Sequence, residues 1–204
     1  MNATLKKSGT FVAFAWFGKL LDPRDQAFAD ALANRRFRSI DTAASEEVSA
    51  GWVTPADPTG NSFALEDMDA GPGTWLRVRI DTKKLPKAQV QMHLAAAARA
   101  QGKPLTARQR RELKDDLAEK LLPRVIPTTT NVDALLYHDR RLVLLFAGGK
   151  SARETFGKLF AESFGVELQP LGPLAMALQS VETPDVETVE RMEPTRWPVG
   201  RRNS

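Results

Sequence analysis

Cysteine is absent from the sequence, which removes disulfides, thiolate metal ligation and cysteine nucleophiles together. Histidine occurs only at 93 and 138, so a structural zinc site, which draws on Cys and His, is not expected. No apolar run approaches the roughly 20 residues of a membrane span. The N-terminal run MNATLKKSGTFVAFAWFGKL places lysines before apolar residues but lacks a small-residue cleavage site, and Gly18-Lys19 interrupts it. It is expected to form a buried strand of a cytoplasmic protein. What remains is ordinary globular composition, 42% hydrophobic and 26% charged over 204 residues, enough for one large domain or two small ones.

Charge is distributed unevenly. Lys83 to Arg124 carries eleven Lys/Arg against four acids, net +7, whereas 1–82 is net −2 and 125–204 net −1. The positive excess is confined to one stretch, which points to a positioned electrostatic surface. Within it Val90, Leu94 and Ala97/Ala98 recur at helical spacing from Pro86 to Gln101, and Gly102 and Pro104 stop that helix. Thr106-Ala-Arg-Gln109 reads as a capping box opening a second helix, whose Leu113, Leu117 and Leu121 repeat until Pro123. A short connection favours antiparallel neighbours, so a helical hairpin with narrow apolar seams and a basic exterior is expected over 83–124. Many exposed lysines and arginines are merely solvated. Here Arg108, Arg110, Arg111 and Lys114 crowd two turns, the pattern that phosphate binding with counterion release needs. The stretch contains no Phe, Trp or Tyr, which argues against a stacking platform for single strands and for duplex.

The remainder reads as a frame. Phe11–Phe17 is apolar on both faces and is expected as a central strand covered on each side. Asp22-Pro23 has the residues of an N-cap and first helical position, with Phe28, Ala31 and Leu32 inward. Phe37–Ile40 suggests a short strand. Glu46–Val53 and Trp75–Ile80 are separated by Pro/Gly/Asn/Asp loops, and Arg77 and Arg79 fall on the outward face of the second. Asn131–Tyr137 and Arg140–Phe146 suggest a β-hairpin turning at His138-Asp139. Ser151-Ala-Arg-Glu154 reads as another capping box before Phe156, Leu159, Phe160 and Phe164, closed by Gly165. Val166–Leu168 and Ala175–Leu178 suggest further short strands, and 179–204 an extended or partly disordered tail. The expected fold is α+β: a mostly antiparallel sheet with flanking helices over 1–82 and 125–178, with a projecting basic hairpin inserted.

Catalytic patterns are weak. Gly148-Gly149-Lys150-Ser151 imitates a phosphate-binding loop, but the required earlier glycine is Leu144. Lys150 at a helix start could still accept a DNA phosphate. Glu112-x-Lys114 with Asp115/Asp116 imitates part of a metal-dependent nuclease site. It lies on an expected helix, where i and i+2 do not share a face. Glu66, Asp67 and Asp69 suit turns. His93 is expected on an exposed helix face, His138 in a turn.

The order of WFGKL at 16–20, Gly51-Trp52-Val53, a basic two-helix excursion ending Leu121-Leu122-Pro123-Arg124, a strand hairpin and an aliphatic helix resembles RdgC, a bacterial recombination-associated DNA-binding family. The resemblance covers roughly residues 10 to 178. It implies sequence-independent binding of double-stranded DNA, a ring-shaped homodimer around the duplex, restraint of a RecA-type recombinase, a nucleoid location and no enzymatic activity or cofactor. Family members continue into a C-terminal segment without counterpart here, so the chain is expected to be a shortened form. The aromatic two positions beyond the LLPR arginine is Ile126 here; Arg124 carries over by match and the aromatic does not. The DNA-binding candidates are Arg77, Arg79, Lys83, Lys84, Lys87, Arg99, Lys103, Arg108, Arg110, Arg111, Lys114, Arg124 and Lys150. The alternatives are a protein-interaction module or recombinase regulator that docks an acidic partner through the same hairpin, and, with less support, a metal-dependent nuclease.

Overall fold

The computed structural model describes residues 10–43 and 45–172. Its fold is α+β, as expected. One six-stranded sheet, antiparallel throughout, has the order β2-β3-β4-β5-β1-β6. The strands are β1 (Val12–Trp16), β2 (Val48–Val53), β3 (Thr74–Thr82), β4 (Thr128–Tyr137), β5 (Leu142–Phe146) and β6 (Leu168–Pro170). The helices are α1 (Gln26–Asn34), α2 (Lys87–Gln101), α3 (Ala107–Leu121) and α4 (Lys150–Phe164).

Strand alternation sorts the sheet into two faces. Trp52, Leu76, Val78, Val132, Ala134, Leu136, Val143 and Leu145 share the face packed against Phe28 and Leu32 of α1 and Phe156, Leu159 and Phe160 of α4. The α4 side chains recur at helical spacing, so one stripe of that helix is buried. Phe156 meets Trp52 edge-on at 5.4 Å, and the Trp52 indole N–H donates to Ser163 Oγ at 2.8 Å, fixing sheet to helix. The neighbouring Gly51 has a packing reason. A Cβ there would lie 2.4 Å from the backbone of Phe37, where chain 35–37 bonds to both backbone groups of Trp52. Only glycine admits that approach.

Several expectations about local structure are corrected. β1 is not covered on both sides: Phe11 and Phe17 at its ends are 52% and 61% exposed. Asp22 opens a turn, accepting from Arg24 N at 2.9 Å, while α1 starts later with Asp25 at its N-cap. Phe37–Ile40 forms no strand; a single parallel bridge joins Arg36 to Trp52. The 151–154 capping box does not form, because α4 begins two residues early with Gly149 as its cap, a residue without a side chain to accept a bond. The Thr106/Gln109 capping box forms with both reciprocal bonds. The β4–β5 hairpin turns at 138–140, with Arg141 left-handed at φ 49°. Val166–Leu168 reaches strand geometry only from Leu168. The expected strand Ala175–Leu178 and the 179–204 tail lie outside the described residues.

Candidate nucleic-acid interface

The basic stretch enters the fold between paired strand ends. Thr82, the last residue of β3, is the register partner of Thr128, the first of β4, so both roots of the insertion leave the sheet side by side. α2 ends at Gly102, whose left-handed φ of 65° suits glycine, and α3 restarts after the Thr106 cap. The two helices meet through few apolar groups: Leu105 and Leu117 are buried, whereas α2 buries no residue. Gln109 Nε2 donates to Gln101 Oε1 at 3.3 Å across the turn.

Between the helices runs an open groove of about 760 Å³. It is lined by Leu94, Ala98 and Leu105, with Arg99 from the last turn of α2, Lys103 from the connection and Arg110 and Lys114 from α3. All four cations are exposed, and no ion pair neutralises any of them among the described residues. Positions 110 and 114 are one helical turn apart, which places them on the same side of α3. Alanines at 95 and 98 keep the groove open, because a larger side chain would fill it. Four exposed cations grouped beside a concave surface make the groove locally positive.

The other candidates divide. Lys84 and Lys87 at the root of α2, Arg111 on α3 and Arg124 after it are exposed. Arg108 donates to Glu112 at 2.7 Å, and Lys150 lies 3.7 Å from Glu154, so each of these two is partly neutralised by its own helix. Ile126, where the family motif has an aromatic, is 88% exposed. His93 is exposed on α2 and His138 sits in the β4–β5 turn. Glu112 spends its carboxylate on Arg108, and among the described residues no group of three or more His, Asp or Glu converges as a metal site would require.

Three candidates from the strand and its exit are corrected: Arg77, Arg79 and Lys83 are not free cations on an outward face. Arg77 Nε donates to Asp133 Oδ1 at 2.6 Å, its guanidinium carbon 5.2 Å from the Trp75 ring centroid, and the Trp75 indole N–H shares that carboxylate. Arg79 forks onto both Asp81 oxygens at 2.9 and 2.7 Å and stacks on Phe37. Burial raises the Asp81 carboxyl, but bonds from Arg79 and Thr129 together with the Arg79 charge outweigh it, leaving it below the usual range. The bond to Asp81 raises Arg79 in turn. Lys83, 1% exposed, donates from Nζ to the carbonyls of Asp41 and Ala43 at 3.0 and 3.1 Å. Asp81 follows Arg79 by two residues on one strand face, so its role as partner was open to sequence reasoning. Asp133 reaches Arg77 only through the β3–β4 register, which no local pattern signals.

With that geometry in place, comparison with known proteins decides the kinship. The family model described as "Putative exonuclease, RdgC" matches residues 17–183. This chain belongs to the RdgC family. Curated relatives named "Recombination-associated protein RdgC", from Xylella fastidiosa strains M12, M23 and Temecula1, are each 29% identical over 133 residues. The match takes in 61% of this chain and 41% of each relative, so the chain spans about two fifths of the length of these RdgC proteins. The RdgC match begins just after β1 and contains strands β2 to β6 and both roots of the basic hairpin. No helix among the described residues is long and apolar enough to cross a membrane.

Proposed function

We propose that this RdgC-family chain binds double-stranded DNA without sequence preference, as a homodimer in the cytoplasm at the nucleoid, and thereby restrains a recombinase during homologous recombination. It acts by occupying DNA and catalyses nothing. The supporting observation is the groove between α2 and α3, where Arg99, Lys103, Arg110 and Lys114 stand exposed and, among the described residues, without acidic partners. Contacts of that kind go to phosphates, which position a protein on the duplex but carry no sequence information. Lys84, Lys87 and Arg124 add positive charge at the roots of the hairpin, toward the sheet, and Arg111 adds it beside Arg110. A single hairpin engages few phosphates; a dimer doubles them and raises affinity through the shared tether.

The test is fluorescence anisotropy of labelled duplex and single-stranded DNA, titrated with the full chain at about 50 and 200 mM salt without divalent metal, alongside light scattering for the dimer. Duplex binding that weakens by tenfold or more between those salts, on the order expected for several phosphate contacts, supports the reading. No duplex binding at the lower salt refutes it and turns the groove toward an acidic protein surface. A monomer by light scattering at the concentrations that bind DNA removes the dimer from the proposal.

A further inference from the structure

Of two adjacent lysines at the end of β3, Lys84 is exposed and Lys83 is enclosed. A lysine is seldom buried unless its polar end is satisfied. Here the side-chain nitrogen donates to two backbone carbonyls, Asp41 O and Ala43 O, in a loop held by the buried Ile40 and closed by the Ala43 N to Ile40 O bond. The β2–β3 ladder does not need this arrangement, because the Lys83 backbone N–H already continues it to Glu47 O at 2.7 Å. Among the described residues no hydrogen bond ties the chain from Lys84 to Pro86 to the sheet, and α2 begins at Lys87. Lys83 is thus the last fixed point before the first basic helix.

We infer that Lys83 is a positioning residue for DNA binding: it pins the root of the hairpin to the Asp41–Ala43 loop and touches no phosphate itself. The inference rests on the reading that the hairpin binds duplex DNA. The groove cations lie near the hairpin turn, and Lys84, Lys87 and Arg124 lie at its roots. Lys84 stands in the segment between Lys83 and α2, so it meets the same duplex as the cations carried on the helices only when that segment keeps one path. Loosening the pin adds an ordering cost on binding without removing a charge that faces DNA.

Lys83→Met keeps an apolar stem of nearly the same length and removes the donor; Lys83→Gln keeps a weaker donor and serves as the graded variant where the first does not fold. Arg110→Gln is the control for a direct contact. Duplex affinity of the full chain is measured across salt, and amide hydrogen exchange without DNA. Expected for Lys83→Met is binding about three- to tenfold weaker at every salt with the salt slope unchanged, the cost of ordering one loosened segment. The first turn of α2 exchanges faster, and Lys83→Gln falls between it and wild type. Arg110→Gln lowers the slope by about one and leaves exchange alone. A slope that falls in Lys83→Met as in Arg110→Gln overturns the inference, since Lys83 then contacts phosphate. Unchanged affinity and exchange overturn it as well. If the wild-type chain binds no duplex, the DNA reading fails by itself, while the exchange comparison still decides whether Lys83 pins the root.

Discussion

Removing two of the four groove cations gives a quantitative handle on the interface. Arg110 and Lys114 share the side of α3 that carries Leu117, but both are exposed and glutamine is a good helix former, so Arg110→Gln/Lys114→Gln is expected to leave the helical hairpin folded. Each phosphate neutralised on duplex DNA contributes a slope of about −0.9 in log K against log salt. Four groove contacts therefore contribute about −3.6 to the slope for each protomer bound, a factor of about 150 on lowering salt fourfold. Two contribute about −1.8 for each protomer, a factor of only about 12, so the variant's slope is expected to be shallower by about 1.8 per protomer. Anisotropy titrations at four or five salt concentrations, with circular dichroism as a check on helix content, read both numbers. The paired control is Arg108→Gln/Lys150→Gln, which removes as much formal charge from cations already held by Glu112 and Glu154. An unchanged slope in the groove variant, or an equal loss in the control, refutes the assignment of the groove as the phosphate-binding surface.

Gly51→Ala forces a Cβ into the Phe37 backbone and is expected to destabilise the fold by about 3 kcal/mol, read from the urea midpoint. Asp133→Ala leaves Arg77, 17% exposed, beside an emptied site and costs about 3 kcal/mol. Arg77→Met in that background then adds much less than it does alone, which a double-mutant cycle measures. The Thr59 hydroxyl, working against desolvation and with the backbone N–H groups of Thr59, Ser62 and Asn61, holds the Asp57 carboxyl down at about 2. A depressed carboxylate stabilises the fold above its ordinary value of about 3.9 and loses that contribution as pH falls toward 2. Asp57→Asn should therefore flatten the fall in the urea midpoint between about pH 4 and pH 2, and an unchanged profile refutes the account.

Elements defined by local rules are legible in the sequence alone. The two basic helices, the Thr106/Gln109 cap, the glycine stop at 102 and the aromatic stripe of α4 all follow from spacing within one turn or two, and each forms. What escapes such rules depends on partners distant in sequence. Arg77 and Arg79 alternate with apolar residues as an exposed face would, yet the sheet register delivers Asp133 to one and the strand's own Asp81 to the other. Lys83 sits in the most basic run of the chain, and only the approach of the 41–43 loop separates it from Lys84. The net charge of the stretch is readable from composition; which cations remain free is decided by tertiary neighbours. The groove itself is equally hidden, since opposing Arg99 and Lys103 to Arg110 and Lys114 requires the path of the turn between them.

The pairing of Thr82 with Thr128 has a further consequence. Directly opposed strand positions lie only about 5 Å apart, a gap that a tight two-residue turn can close. Topologically, the whole basic excursion is an overgrown turn of an ordinary meander. Loop-closure entropy grows only logarithmically with length, so residues can be gained or lost along both arms at little thermodynamic expense to the β-ladder beneath. The length of the arms is thereby thermodynamically separate from the strands that carry them, which answer to their own packing demands.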